Sequence, residues 1–419
     1  MRETTDVVLA RFFRDEHSRL LAVLVRRFGS LDLAEEAAQE AMAAALETWP
    51  RDGMPSSPLA WLITAARRRA LDRVRRDAVF ARRIAELRLQ EELAPPSAED
   101  DALDALGGQD ERLAMLMGCC HPAISGADQI ALMLRFVGGL TTAEVAQSLL
   151  LPVPTVQARI TRAKKRIRAN RIPLEVPDDP GALQARLPSV LTAISLIFTE
   201  GYDATAGDSL LRRDLTSEAV RLARIVQTSL PEEAEPCGLL GLLLLTEARA
   251  SARVDADGVP VALEDQDRGL WDGALTMEGL ALVERAAAMP SAGRFTVQGA
   301  IAAVHAEARD FDSTDWRQIV ALYDILLHHR DDPVVRMNRA VAVGRRDGPE
   351  AGLRGLLALA DEPELTRHRP FHVCCALFYD EVHDAPAASA SWARALELAE
   401  NEAQRQFIAR RLVPDRPAP

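Results

Sequence analysis

Between Arg159 and Arg171 the chain carries seven basic residues and no acidic one. Val156, Ile160, Ala163 and Ile167 recur there at helical spacing and form one narrow apolar stripe, so the charged groups occupy the rest of the helix surface. Opposite the stripe stand Thr155, Ala158, Thr161, Arg162 and Lys165, flanked by Gln157, Arg159, Lys164, Arg166 and Arg168. Such a surface suits duplex DNA. Residues near the helix N-terminus reach base edges in the major groove, and the cations beyond them neutralise phosphates. A helical hairpin inside a larger bundle shows the same stripe, but its outer face is seldom uniformly basic. A second run, Arg67 to Arg83, holds eight Arg against two Asp, and Trp61, Arg68 and Arg75 recur in it seven residues apart. An exposed aromatic beside guanidinium groups can stack on an unpaired base while the cations hold phosphates. Trp61 can equally be part of the core, with the arginines as a solvated face.

The elements that must carry these residues are helical throughout. Strand-like alternation is nearly absent while apolar stripes of period 3.6 recur from end to end, so the fold is expected to be all-α. Leu9 to Phe28 reads as one helix and Leu33 to Trp49 as the next, with Ala38, Met42, Leu46 and Trp49 on one face and Glu35, Glu36, Gln39 and Glu40 on the other. Ser57-Pro58 opens a third helix, a cap followed by proline at the first helical position, that buries Leu59, Leu62, Ile63, Ala66, Ala70 and Val74. Thr141 to Glu144 forms a capping box, with Leu140 stapled onto Val145, and starts a short helix ending near Leu149. A turn through Leu150-Leu-Pro-Val-Pro154 then leads into the basic helix, which is the grammar of a helix-turn-helix.

Net charge is -12, which by itself argues against a nucleic-acid partner, yet residues 1 to 171 hold 25 basic and 23 acidic side chains against 25 and 39 in the remainder. Nine acids and one Arg between Ile84 and Glu111, with Pro95-Pro96 and Gly107-Gly108, mark a linker between two basic modules. Five cysteines, four of them in the adjacent pairs Cys119-Cys120 and Cys374-Cys375, do not form a disulfide framework. No continuous run of eighteen apolar residues and no signal-peptide core appear, so a cytoplasmic protein without a membrane partner is expected.

Together the two modules resemble the sigma-70 family. Leu33-Ala-Glu-Glu-Ala-Ala-Gln-Glu-Ala-Met42 is similar to the polymerase-binding helix of its region 2, and Pro58-Leu-Ala-Trp-Leu-Ile-Thr-Ala-Ala-Arg-Arg-Arg-Ala-Leu-Asp72 to its promoter-melting helix. Leu134 to Ala146 and Thr155 to Ile167 are similar to region 4. Their order, with an acidic linker in place of region 3, resembles the extracytoplasmic-function (ECF) type. Two positions depart from the pattern: Arg68 stands where the family often has Asn, and Leu149-Leu-Leu151 fills a turn where Gly is frequent. The resemblance implies that Glu35, Glu36, Gln39 and Glu40 dock on the RNA polymerase core. It implies that Trp61, Arg67, Arg68, Arg69, Arg73, Arg75 and Arg76 engage the -10 element of promoter DNA. Thr155, Gln157, Ala158, Arg159, Thr161, Arg162, Lys164, Lys165 and Arg166 would then read the -35 element. The expected domains are region 2 over 1–83, the linker over 84–108, region 4 over 109–171, a helical middle domain over 172–310 and helical repeats over 311–419.

Beyond residue 171, Tyr323 and Leu327 precede Trp392 and Leu396 by 69 residues, the length of two tetratricopeptide-like units. Repeats of this kind stack into a concave surface for a protein or peptide partner, which can be another part of the same chain. Met117-Gly-Cys-Cys-His-Pro122, Leu196 to Tyr202 and Leu263 to Trp271 resemble the ECF subgroup with such an extension, in which the extension is taken to control sigma activity. Glu264, Asp265 and Asp267 could hold a divalent ion, but pairing with Arg268 or a helix end is expected instead. Cys119, Cys120 and His121 lack a second ligand pair, and a redox role for Cys374, Cys375 and His372 needs a lowered thiol pKa. No phosphate loop or hydrolase motif is present, so no cofactor, metal or catalytic residue is expected.

Overall fold

The computed structural model describes residues 5–85, 111–177 and 179–412, with side chains over 16–76, 113–177, 179 and 181–412. The expected acidic linker therefore falls almost wholly outside the described residues. Within them the protein is all-α, with eighteen α-helices and two strands of two residues each. It divides into two compact units, residues 1–145 with 153–193, and residues 146–152 with 194–419.

In the first unit α1 (Thr5–Phe28), α2 (Leu31–Asp52) and α3 (Pro58–Ala85) pack around Leu20, Leu21, Leu24, Ala38, Ala41, Leu62 and Ala66, all essentially without solvent exposure. Ser30 caps α2 by accepting from Leu33 N–H. The buried face of α2 runs through Ala34, Ala37, Ala38, Ala41, Ala45 and Trp49, while Leu46 is 49% exposed and Val74 of α3 45% exposed. Of the expected stripes, Ala38, Trp49, Leu62, Ala66 and Ala70 turn inward, while Leu46 and Val74 do not. Close helix packing selects the alanines beside them instead.

The next helices are α4 (Glu111–Cys119), α5 (Gly126–Phe136), α6 (Thr142–Ser148) and α7 (Val153–Asn170). Thr141 Oγ1 accepts from Glu144 N–H (3.2 Å) and Glu144 Oε2 accepts from Thr141 N–H (2.6 Å), the reciprocal capping box the sequence predicts. Leu150, in the turn, takes φ +54°, a left-handed backbone that disfavours any side chain and explains why glycine is frequent there. The division between units falls inside α8 (Pro180–Tyr202), after Ala193. In the first unit, Arg186 of α8 donates to Met117 O (2.9 Å) and Ser189 to Gln129 Oε1 (2.8 Å). Among the described residues α8 alone is long and apolar enough to cross a membrane, a property that core helices share.

The second unit continues with α9 (Arg213–Ser229), α10 (Ala234–Glu247), α11 (Gly273–Ala287) and α12 (Arg294–Glu307). α10 is apolar on nearly every side and buried at ten positions, which marks it as the centre of a helical cluster. Its Gly238 and Gly241 let neighbours approach at backbone distance: a Cβ at Gly238 would lie 2.6 Å from Thr296 Cα, and one at Gly241 2.7 Å from Val283 Cγ2. The Glu235 carboxylate accepts from the backbone N–H groups of Gly293, Phe295 and Thr296 (3.0 Å each), fixing the start of α12.

Three further hairpins follow: α13 (Trp316–His329) with α14 (Pro333–Asp347), α15 (Pro349–Leu357) with α16 (Arg369–Glu381), and α17 (Ala385–Glu397) with α18 (Glu402–Leu412). The first and third hairpins start 69 residues apart in both of their helices, the same offset as between Tyr323 and Trp392. Trp392 is buried and donates to Asp380 Oδ2 at 2.9 Å. Strand β1 (Ala206–Gly207) pairs in parallel with β2 (Glu400–Asn401), and Gln404 donates to Asp203 Oδ1 (3.0 Å), tying the last hairpin to the start of the second unit.

Candidate nucleic-acid interface

α3 and α7 present the two basic surfaces. On α3, Arg68, Arg69, Arg75 and Arg76 are exposed while Arg67 and Arg73 are half-buried. Trp61 is half-buried, its ring 5.5 Å from that of Trp49 in an edge-on contact. It is thus partly core and partly surface, anchored at one edge. Arg76 Nε donates to Asp72 O (3.3 Å), whereas Arg69 and Arg73 reach back to α2, at 3.5 Å from Glu40 and 2.9 Å from Glu36.

On α7 the apolar stripe turns inward as predicted, with Val156, Ala163 and Ile167 buried and Ile160 half-buried. Gln157, Ala158, Thr161 and Lys165 are exposed; Thr155 and Arg159 are half-buried. Three other cations are tethered. Arg162 forms a forked pair with Asp128 (2.9 and 3.4 Å), and Arg166 donates to Ala123 O (2.9 Å). Lys164 lies 2.5 Å from Asp32 and 3.1 Å from Glu35, and Arg135 donates to the same Glu35 at 3.1 Å. Burial works against the charge of Lys164, but its hydrogen bonds to the Asp32 and Glu35 carboxylates outweigh it and hold its pKa above the ordinary lysine value. Nearby, burial and the Arg135 charge lower the pKa of His17 to about 4, against an opposing pull from Glu35.

The four polar residues of the α2 face therefore separate. Glu36 and Glu40 face α3, Glu35 faces α5 and α7, and Gln39 stays exposed. The sequence does not single out Asp32, Asp128 or Arg135, although each makes an ion pair with these sets or within the same unit. The only available signal was an acid or base beside a quoted motif.

Of the polar clusters outside the interface, the acids near Arg268 meet a helix end and another arginine rather than Arg268 itself. Glu264 pairs with Arg345 (3.2 Å), not Arg268, and Asp267 caps the short turn Arg268–Leu270 by accepting from Gly269 N–H (2.8 Å). Arg268 is occupied by the carbonyls of His305 and Ala308, which is why it does not meet the neighbouring acids. All five cysteines are free; burial pushes Cys120 and Cys375 up to about 12 and Cys374 to about 11, the reverse of what a reactive thiolate requires. Among the described residues, no group of three His, Cys, Asp or Glu side chains is placed to hold a metal.

The sigma-70 region 2 family matches residues 12–79 and the sigma-70 region 4 family residues 115–167, so α1–α3 and α4–α7 define a protein of the sigma-70 class. A family of unknown function, DUF6596, matches residues 186–287. The chain is 30% identical over 163 residues to the ECF RNA polymerase sigma factors SigK of Mycobacterium ulcerans and Mycobacterium tuberculosis, a match covering 38% of this chain and 83% of each of theirs. It is also 40% identical over 388 residues to the uncharacterized protein R00370 of Rhizobium meliloti, across 93% of this chain and 91% of the other. The chain belongs to the ECF RNA polymerase sigma factors. No solved structure matches it.

Proposed function

We propose that this protein brings the RNA polymerase core to a defined set of promoters and starts transcription there. The observation that carries the reading is the pairing, in one chain, of an aromatic-basic helix hairpin with a capped helix-turn-helix whose outer face is basic. In this reading Glu35, Glu36, Gln39 and Glu40 meet the polymerase. Trp61 with Arg67, Arg68, Arg69, Arg73, Arg75 and Arg76 captures bases and phosphates of the opened -10 element. Thr155, Gln157, Ala158, Arg159, Thr161, Arg162, Lys164, Lys165 and Arg166 read the -35 element as duplex. The polypeptide makes and breaks no bond of its own, and it works in the cytoplasm where promoters are. Several of these groups spend their charge on one another in the free protein, so engaging polymerase and DNA exchanges internal ion pairs for external ones.

The helical extension, with its tetratricopeptide-like 69-residue offset, offers a surface for a protein partner or another part of the chain, and controls the activity of the first unit. Run-off transcription with purified core polymerase on the protein's own upstream DNA tests both statements. The full chain should yield a transcript that Arg68→Glu with Arg75→Glu abolishes, and a chain ending at Tyr202 should change its amount. Equal transcription with the charge reversals would sink the -10 assignment. Equal yield from both chain lengths would sink the regulatory one.

A further inference from the structure

The second unit contains a polar cluster that the sigma reading leaves unused. The loop after α10 is closed at its neck, where Asp272 N–H donates to Ala248 O (2.9 Å), and this closure brings Arg249 beside Arg268 and Trp271. The Arg249 guanidinium lies 5.8 Å and that of Arg268 4.6 Å from the centre of the Trp271 ring. Arg268 Nη1 donates to His305 O and Ala308 O (2.6 Å each), closing the C-terminal end of α12. Two cations thus share one indole, and neither forms an ion pair with a carboxylate among the described residues.

Three buried N–H donors of this cluster have no protein acceptor: Arg249 Nε, Arg268 Nη2 and Trp271 Nε1; the neighbouring His305 Nδ1 is likewise unpartnered. Guanidinium and indole are donors only, so no rearrangement among themselves can satisfy them. Each orphaned donor is costly to bury, and the repulsion between the two arginines adds to that cost. Burial and the charges of Arg249 and Arg268 hold the His305 pKa at about 4, so the imidazole adds no third charge. His305 also lines a cavity of about 240 Å³ with Phe311, Trp316, Tyr323, Asn338 and Arg345. Its one guanidinium, Arg345, is already matched by Glu264 (3.2 Å) and Glu381 (2.9 Å).

We propose that Arg249, Arg268 and Trp271 form a binding site for a small oxyanion, a carboxylate or phosphate group, whose oxygens accept from these three donors. Water can satisfy the hydrogen bonds but not the charge, whereas an oxyanion supplies both, and Arg is the side chain best shaped for it. The three residues lie in the segment matched by the family of unknown function. The site stands independently of the promoter reading and gives the extension a chemical input.

Thermal unfolding of the full chain in millimolar sodium phosphate, in millimolar succinate, and in chloride of matched ionic strength tests this. One or both oxyanions should raise Tm by about 2 °C or more over chloride, and which one does so identifies the group. Trp271→Phe removes the N–H while keeping a ring between the arginines, and Arg249→Met removes a charge while keeping its stem; each should at least halve the rise. Far-UV circular dichroism in chloride establishes that both variants fold, and either one suffices alone. No rise with phosphate or succinate, or a rise unchanged in the folded variants, overturns the proposal and leaves water as the occupant.

Discussion

In the first unit the polar side chains assigned to polymerase and DNA lie at or near the surface, many of them in ion pairs such as Arg73–Glu36 and Arg162–Asp128, both 2.9 Å. In the second, the central helices meet through glycines, and Arg249, Arg268, Trp271 and His305 place polar atoms out of solvent without protein partners. Surface ion pairs contribute little to stability and exchange readily for external partners. Buried polar groups are costly, and persist where something repays them. The first unit thus has a face that binding can rearrange, and the second a closely packed frame that holds unsatisfied donors.

The largest expected effect tests that frame. Gly238→Val pushes a side chain into the backbone of α12 at Thr296, and urea unfolding should show a loss of about 3 kcal/mol or more. A loss under about 1 kcal/mol would mean that α10 and α12 can separate cheaply.

A pH series sharpens the contrast further. The folded pKa of His305 lies near 4 against an ordinary 6.5, so the unfolded chain binds the extra proton first as pH falls. Stability from this group is complete above pH 6.5 and is lost towards pH 4. In chloride buffers, His305→Asn should remove up to about 3 kcal/mol of the stability difference between pH 7 and 4. His17 and His368, also held near 4, and the lowered His121 and His372 contribute to the remaining slope. An unchanged slope in the variant would place His305 in a solvated setting.

The same comparison shows what the sequence could disclose. The capping box at Thr141 was legible because both of its hydrogen bonds span three residues, and the stripe on α7 because a helix repeats locally. The 69-residue offset was legible because Tyr323 and Leu327 recur at it as Trp392 and Leu396, on helices that themselves start 69 residues apart. Lys164 with Glu35, 129 residues apart, and Arg162 with Asp128, 34 apart, depend on how helices pack and left no local pattern. Of the two partners expected for the acids near Arg268, the helix end is met by Asp267, whereas Arg268 itself turns to the end of α12, which proximity in sequence does not reveal. On α2 the expected Ala38 and Trp49 are buried, but Ala34, Ala37, Ala41 and Ala45 were not anticipated because small residues carry the weakest hydrophobic signal yet permit the closest helix contact.

Smaller effects belong to α7 and the turn that leads into it. A double-mutant cycle of Lys164→Met with Glu35→Gln should give a coupling of roughly 1–2 kcal/mol that falls in high salt. No coupling would show that the pair is not formed in solution. Leu150→Gly relieves a left-handed backbone at the cost of greater chain freedom, for a net gain of about 0.5–1 kcal/mol, measurable by the same unfolding. A loss would mean that the Leu150 side chain contributes more than its backbone strain costs.

The central claim is that the exposed basic face of α3 is spent on promoter DNA rather than on solvent. Run-off transcription with core polymerase and the full chain, wild type against Arg68→Glu with Arg75→Glu, addresses it directly. The account predicts a transcript that requires the wild-type protein and disappears with the charge reversal, while binding to core polymerase is retained. Transcription undiminished by the reversal, or none from the wild type on any promoter it is offered while core binding is also absent, would contradict it.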